Sequence, residues 1–141
     1  MALLWREQLS VGNNVIDTDH RYLIDIINRV EQCLITKNRR ELAFELENLS
    51  KYSLVHFERE EKIALAVGYI RLPKLNESHV ALLNRLNQMR AEFDGAGVEW
   101  SSEAAKKFTE FLRNWLIDHV IKEDLLMKPA LMKHSPTFDP R

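Results

Sequence analysis

The chain has 141 residues, 45% of them hydrophobic and 29% charged, with a formal net charge of −1. This suits one compact domain over residues 1–141 with a full core, and it excludes a disordered or low-complexity tract. Lys, Arg, Asp and Glu are interspersed, so no basic surface is offered to nucleic acid or anionic lipid; no apolar run has the length of a signal or membrane-spanning segment, and the expected location is the cytoplasm.

Residues 1–16 read as an arm lying across the rest, because Leu4, Trp5, Leu9, Val11, Val15 and Ile16 supply apolar anchors without a helical period. After Gly12-Asn13-Asn14, the Asp17-Thr18-Asp19 run supplies N-cap candidates for a helix ending near Thr36, with His20, Leu23, Ile24, Ile27, Glu31 and Leu34 on one face. A second helix is expected from about Arg40 past Ala64: Leu42, Leu46, Leu49, Ser53, His56, Glu60 and Ile63 repeat at steps of four and three. His56 and Glu60 are therefore neighbours on the inner stripe. Gly68 suits a helix stop and Pro73 the first turn of a third helix, whose stripe is Leu75, His79, Leu82, Leu86, Met89 and Phe93. The loop Asp94-Gly95-Ala96-Gly97 breaks it, and Ser101 or Ser102 can cap a fourth helix with Phe108, Leu112, Trp115 and His119 inward. The tail from His134 to Arg141 is expected to fray. Four amphipathic segments on short links predict an all-α, up-down-up-down antiparallel four-helix bundle with an N-terminal arm packed across it.

The histidines carry the chemistry. Four of the five, His20, His56, His79 and His119, fall one apiece on the four stripes, where a bundle interior normally takes Leu or Ile. One such histidine is ordinarily a satisfied core residue; four in register, with carboxylates close behind two of them, predict a metal site. Imidazole and carboxylate donors suit iron, manganese or zinc, and the single cysteine, Cys33, leaves neither a disulfide nor a thiolate set. Behind His119 two acids compete. Regular helix geometry favours Glu123, four residues on, over Asp124, which lies about 140° round the axis.

Three motifs together resemble the hemerythrins, specifically the single-domain bacterial hemerythrin-like proteins. After Trp5, the stretch from Gly12 to His20 follows G-x-x-x-I-D-x-x-H, His56 to Glu60 follows H-x-x-x-E, and Trp115 to Asp124 follows W-L-x-x-H-[IV]-x-x-x-D. The resemblance implies a four-helix bundle, which such proteins share, holding two iron ions as a non-haem di-iron centre bridged by oxygen and by Glu60 and Asp124. His20 and His56 would hold the iron that takes up dioxygen, and His79 and His119 the other. It favours Asp124 over Glu123, which would require a local irregularity such as a π-bulge. On the third helix the family has H-x-x-x-H. The gapless register puts Leu75 at the first histidine and His79 at the second; the alternative, with a four-residue insertion, puts Leu83 at the second. Either way one imidazole is missing, so the second iron would have a vacancy. Leu116 and Val120 match the walls of the family's dioxygen pocket.

The function so implied is reversible binding of dioxygen, or another small diatomic such as nitric oxide, for carriage, storage or sensing. A di-iron redox enzyme that activates peroxide or oxygen at the vacancy is the alternative. A metal-responsive interaction module acting on a partner in trans is a third.

Overall fold

Asn13, rather than the Asp17–Asp19 run, caps the first helix: its side-chain oxygen accepts the N–H groups of Val15 and Ile16 at 3.0 and 3.2 Å. In this computed structural model, which describes residues 2–94 and 100–140, α1 therefore spans Asn14–Thr36, and the arm is shorter than the expected 1–16. Asp17 is left free to hold the arm, accepting the Val11 N–H at 2.9 Å and the Ser10 hydroxyl at 2.5 Å. Further out, Leu3 exchanges two hydrogen bonds with the Asn28 side chain, and Leu3, Trp5 and Leu9 pack on the core.

Asn38 caps α2 (Arg39–Ala66) through the Glu41 N–H. Its end is a Schellman motif: Gly68 stands at φ +70°, its N–H bonds the Leu65 carbonyl, and the Tyr69 N–H bonds that of Ala64. With Pro73 in its first turn, α3 runs Leu72–Asp94; residues 95–97 of the expected loop lie outside the described residues. Ser101 accepts the Ala104 N–H and opens α4 (Ser102–Asn114). The fourth helix then widens into a π segment (Trp115–Ile121), followed by α5 (Lys122–Asp124), a 3-10 turn (Leu125–Met127) and α6 (Lys128–Leu131).

The result is a four-helix bundle in which α1 packs on α2 and α4, α2 on α3, and α3 on the π segment. Its interior is layered. The larger apolar cluster takes Leu23, Phe57, Leu82, Leu116 and Val120, and the smaller takes Ile16, Ile63, Leu75 and Met127. Between these positions every helix places a polar residue: His20, then Glu60, then His79, then Asp124, each no more than 3% exposed. A polar sheet between two apolar layers costs stability unless its members find partners.

The tail does not fray as expected. Asn14 donates its N–H to the Pro136 carbonyl at 2.8 Å and Asn13 its amide to that of Phe138 at 3.0 Å, so residues 135–138 lie against the start of α1. Gly12 seals the same corner at φ +83°, where an added Cβ would stand 2.8 Å from Met132 Sδ. Gly12→Ala is expected to cost about 1–2 kcal/mol, mostly from the left-handed backbone because the exposed Met132 side chain can move, and to lower Tm by roughly 3–8 °C in a thermal melt. Among the described residues no helix is long and apolar enough to cross a membrane.

Candidate metal centre

The polar layer converges on one point. His20 Nε2 lies 2.8 Å from Asp124 Oδ2 and 3.9 Å from Glu60 Oε2, while His56 Nε2 lies 3.0 Å from Glu60 Oε2 and 3.9 Å from Asp124 Oδ2. One donor atom from each of His20, His56, Glu60 and Asp124 falls within 4.8 Å of all the others. Bonds of about 2.1 Å place opposite ligand atoms about 4.2 Å apart, so a small contraction would close this set on a cation. Two of the atoms that face one another, His56 Nε2 and Glu60 Oε2, are buried with no hydrogen bond of proper geometry. In a native interior such orphans call for a partner, and a cation bound between them would be one. The residues present therefore fit one metal ion with nitrogen and oxygen donors.

Charge in the layer is unevenly distributed. Burial, reinforced by neighbouring His56, pushes His20 down to about 3, so its imidazole is neutral at physiological pH and ready to ligate. Burial would also depress His56, but the charge of Glu60 and the hydrogen bond with Asp19 hold it well above its ordinary value. Burial and the charge of Glu60 raise Asp124, whereas for Glu60 burial is outweighed by Asp124, His56 and His79, which keep it ionised. A metal ion must compete with protons for His56 and Asp124, both of which the layer shifts toward holding them. Apparent metal affinity is expected to fall as pH is lowered, with protons released on loading, measurable by titration in weakly buffered solution.

His79 stands beside the set rather than in it. Its Nε2 lies 3.0 Å from Glu60 Oε1 and its Nδ1 2.9 Å from Glu61 Oε2, with Phe57 stacked on the ring at 4.0 Å between centroids. His119 departs from expectation altogether: it is exposed, in a groove lined by Ser78, Ala81, Leu82 and Arg85. The π segment is the cause. One extra residue enters the fourth helix between Trp115 and Ile121, and beyond it the inward positions move on by one, from 119 to Val120 and from 123 to Asp124. The slip that brings Asp124 inside and leaves Glu123 bonded to Ser78 also turns His119 out. The expected irregularity is present; it lies around and before His119 rather than only after it. Leu75, at 3% exposure, is packed in the smaller apolar cluster.

The sequence reading missed the residues that support His56. Asp19 accepts from His56 Nδ1 at 2.9 Å, from Tyr52 Oη at 2.6 Å, and from Arg59 through Nε and a terminal nitrogen at 3.0 and 2.6 Å. Burial alone would raise the Asp19 carboxyl, but these donors outweigh it and hold it far below the usual carboxylate range. A carboxylate behind a ligand imidazole fixes its tautomer and aims the other nitrogen. One signal was available: Tyr52, His56 and Arg59 lie at steps of four and three on one face of α2. Leu116 and Val120, both buried, precede Asp124 on the inner face and belong to the larger apolar cluster, as does Trp115, whose Nε1 donates to the Leu82 carbonyl at 3.0 Å.

Comparison with known proteins agrees with this fold. A family model described as the hemerythrin HHE cation binding domain matches residues 11–131. Bacteriohemerythrin of Methylococcus capsulatus is 29% identical over 133 residues, covering 93% of this chain and 98% of the relative. That of Stenotrophomonas maltophilia is 27% identical over 139 residues, covering 98% of this chain and 88% of the relative. A crystal structure of wild-type hemerythrin superposes with a TM-score of 0.78 at 25% identity, over 93% of this chain and 98% of that one.

Proposed function

Since the chain belongs to the hemerythrin family, a family of cation-binding four-helix bundles, we propose that it is a non-haem iron protein that reversibly binds dioxygen or another small diatomic such as nitric oxide. The observation that carries this reading is the buried convergence of His20, His56, Glu60 and Asp124, two of whose facing atoms, His56 Nε2 and Glu60 Oε2, lack a hydrogen bond. Carriage, storage and sensing all use this chemistry.

Bound ferrous iron would supply a coordination position for the diatomic and the electron density that holds it. The chain's own residues do the rest. His20 and His56 offer imidazole nitrogens, and Glu60 and Asp124 offer two carboxylates whose charge balances one divalent ion between apolar layers. Asp19 aims His56. The larger apolar cluster, in which Leu116, Val120 and Trp115 are buried, borders the polar layer; a dry border disfavours loss of a charged, reduced ligand and so favours reversible binding over oxidation. His79 links Glu60 Oε1 to Glu61, whose side chain is 33% exposed, and so joins the centre to the surface through hydrogen-bonding groups.

Protein loaded anaerobically with ferrous iron is expected to develop a visible absorption band on exposure to oxygen or nitric oxide and to lose it when the gas is removed. Bound iron with no spectral response to either gas would contradict the reading. Sustained consumption of oxygen or peroxide would replace it with the redox-enzyme alternative.

A further inference from the structure

We propose that this centre holds one metal ion, bound by His20, His56, Glu60 and Asp124, in place of the pair that the family resemblance implies; the inference rests on the metal-binding reading above and concerns its stoichiometry.

The four-residue set is complete on one side of Glu60 only. Beyond Glu60 Oε1, on the side of His79, the described residues offer a single imidazole. Leu75, one turn earlier on α3, is apolar and buried among Ile63 and Met127. His119 is on the surface, and the register that puts it there is the one that buries Val120 at 1% exposure and brings Asp124 to the centre. Moving the wide turn beyond His119 would bring its ring inward at the cost of exposing Val120. His79 therefore stands alone on that side: its Nε2 faces Glu60 Oε1 at 3.0 Å, Glu61 lies behind its Nδ1, and its ring is held by the stacked Phe57. A second ion would find fewer donors than a buried site needs, since divalent metals take four or more ligands.

Charge argues the same way. Glu60 and Asp124 neutralise one divalent ion, whereas a second would add two uncompensated charges between two apolar clusters. Further acids around the layer are already engaged: Asp19 with Tyr52, His56 and Arg59, Glu61 with His79, and Glu123 with Ser78.

The test is metal stoichiometry with magnetic resonance. The full chain is loaded anaerobically with excess ferrous iron, freed of unbound metal by gel filtration, assayed for iron per chain, and then oxidised for electron paramagnetic resonance. About one iron per chain and the strong signal of an isolated ferric ion are expected. About two irons per chain, with the signal quenched by coupling between adjacent ions, would overturn the single-ion inference while leaving the proposed function standing. Iron below about one tenth per chain would overturn both. His119→Ala, a surface change that leaves the core intact, is expected to keep wild-type iron content and signal; loss of half the iron would contradict the inference.

Discussion

Replacing Glu60 with alanine is expected to leave the protein unable to retain metal. This carboxylate, wholly buried, stands at the junction of the layer: 3.0 Å from His56 Nε2, 3.9 Å from His20 Nε2 and 3.0 Å from His79 Nε2. In a four-ligand site one ligand's share of the binding free energy is roughly 3–4 kcal/mol, so Glu60→Ala should weaken affinity by about 100- to 1,000-fold. The charge balance worsens too, because only Asp124 then opposes the ion. A second effect is structural, since His56 and His79 lose a partner inside the core. Glu60→Gln separates the two: the amide keeps the volume and can still meet His79, so the melting temperature should change little while metal retention is largely lost. Competition against a chromophoric chelator and a thermal melt read the two quantities independently.

The second large effect is expected at a residue that touches no metal. Asp19 is the common acceptor for Tyr52, His56 and Arg59, and its side chain is 5% exposed. Asp19→Ala strands a buried imidazole nitrogen and leaves the Arg59 guanidinium without its carboxylate, a loss of about 3 kcal/mol, or roughly 10 °C in Tm. Freed from its anchor, His56 can rotate, and metal affinity should fall about 10- to 100-fold. The pH dependence has a definite sign. Because the folded-state pKa of Asp19 is depressed, its stabilisation is fully present above the unfolded carboxylate value of about 4 and is lost as pH falls below it toward the folded value. The Tm difference between wild type and Asp19→Asn should therefore be large at about pH 7 and shrink toward about pH 3. A difference that does not change with pH would show that Asp19 acts through packing rather than charge.

These two positions also mark how far the sequence could be read. The four helices are visible in it because apolar residues at steps of three and four have few other uses, and Glu60 is visible because it lies one turn from His56 on the same stripe. Asp19 is hidden. It sits next to His20 in sequence yet serves His56, 37 residues away, and no local period records a partnership made by helix packing. The fourth helix is the sharper case. Its apolar steps extend regularly to residue 119, which places His119 inside. The backbone instead takes one residue more between Trp115 and Ile121, and the inward face passes to Val120 and Asp124. That Asp124 needs an irregularity is readable from angles alone; where the irregularity falls depends on which side chains α3 and α1 accept, and only packing decides that. The N-terminal cap and the docked tail were missed for a common reason. Asn13 caps α1 through its side-chain oxygen and holds Phe138 through its amide, and a residue with two uses is not distinguished from an ordinary loop asparagine by position.

The central claim is that His20, His56, Glu60 and Asp124 form a metal centre, and X-ray absorption at the iron edge of the loaded protein tests it most directly. The account predicts a first shell of nitrogen and oxygen without sulfur and with about two imidazoles per iron, a pattern that His20→Ala would reduce to about one. A shell without imidazole scattering, or one unchanged by His20→Ala, would contradict it.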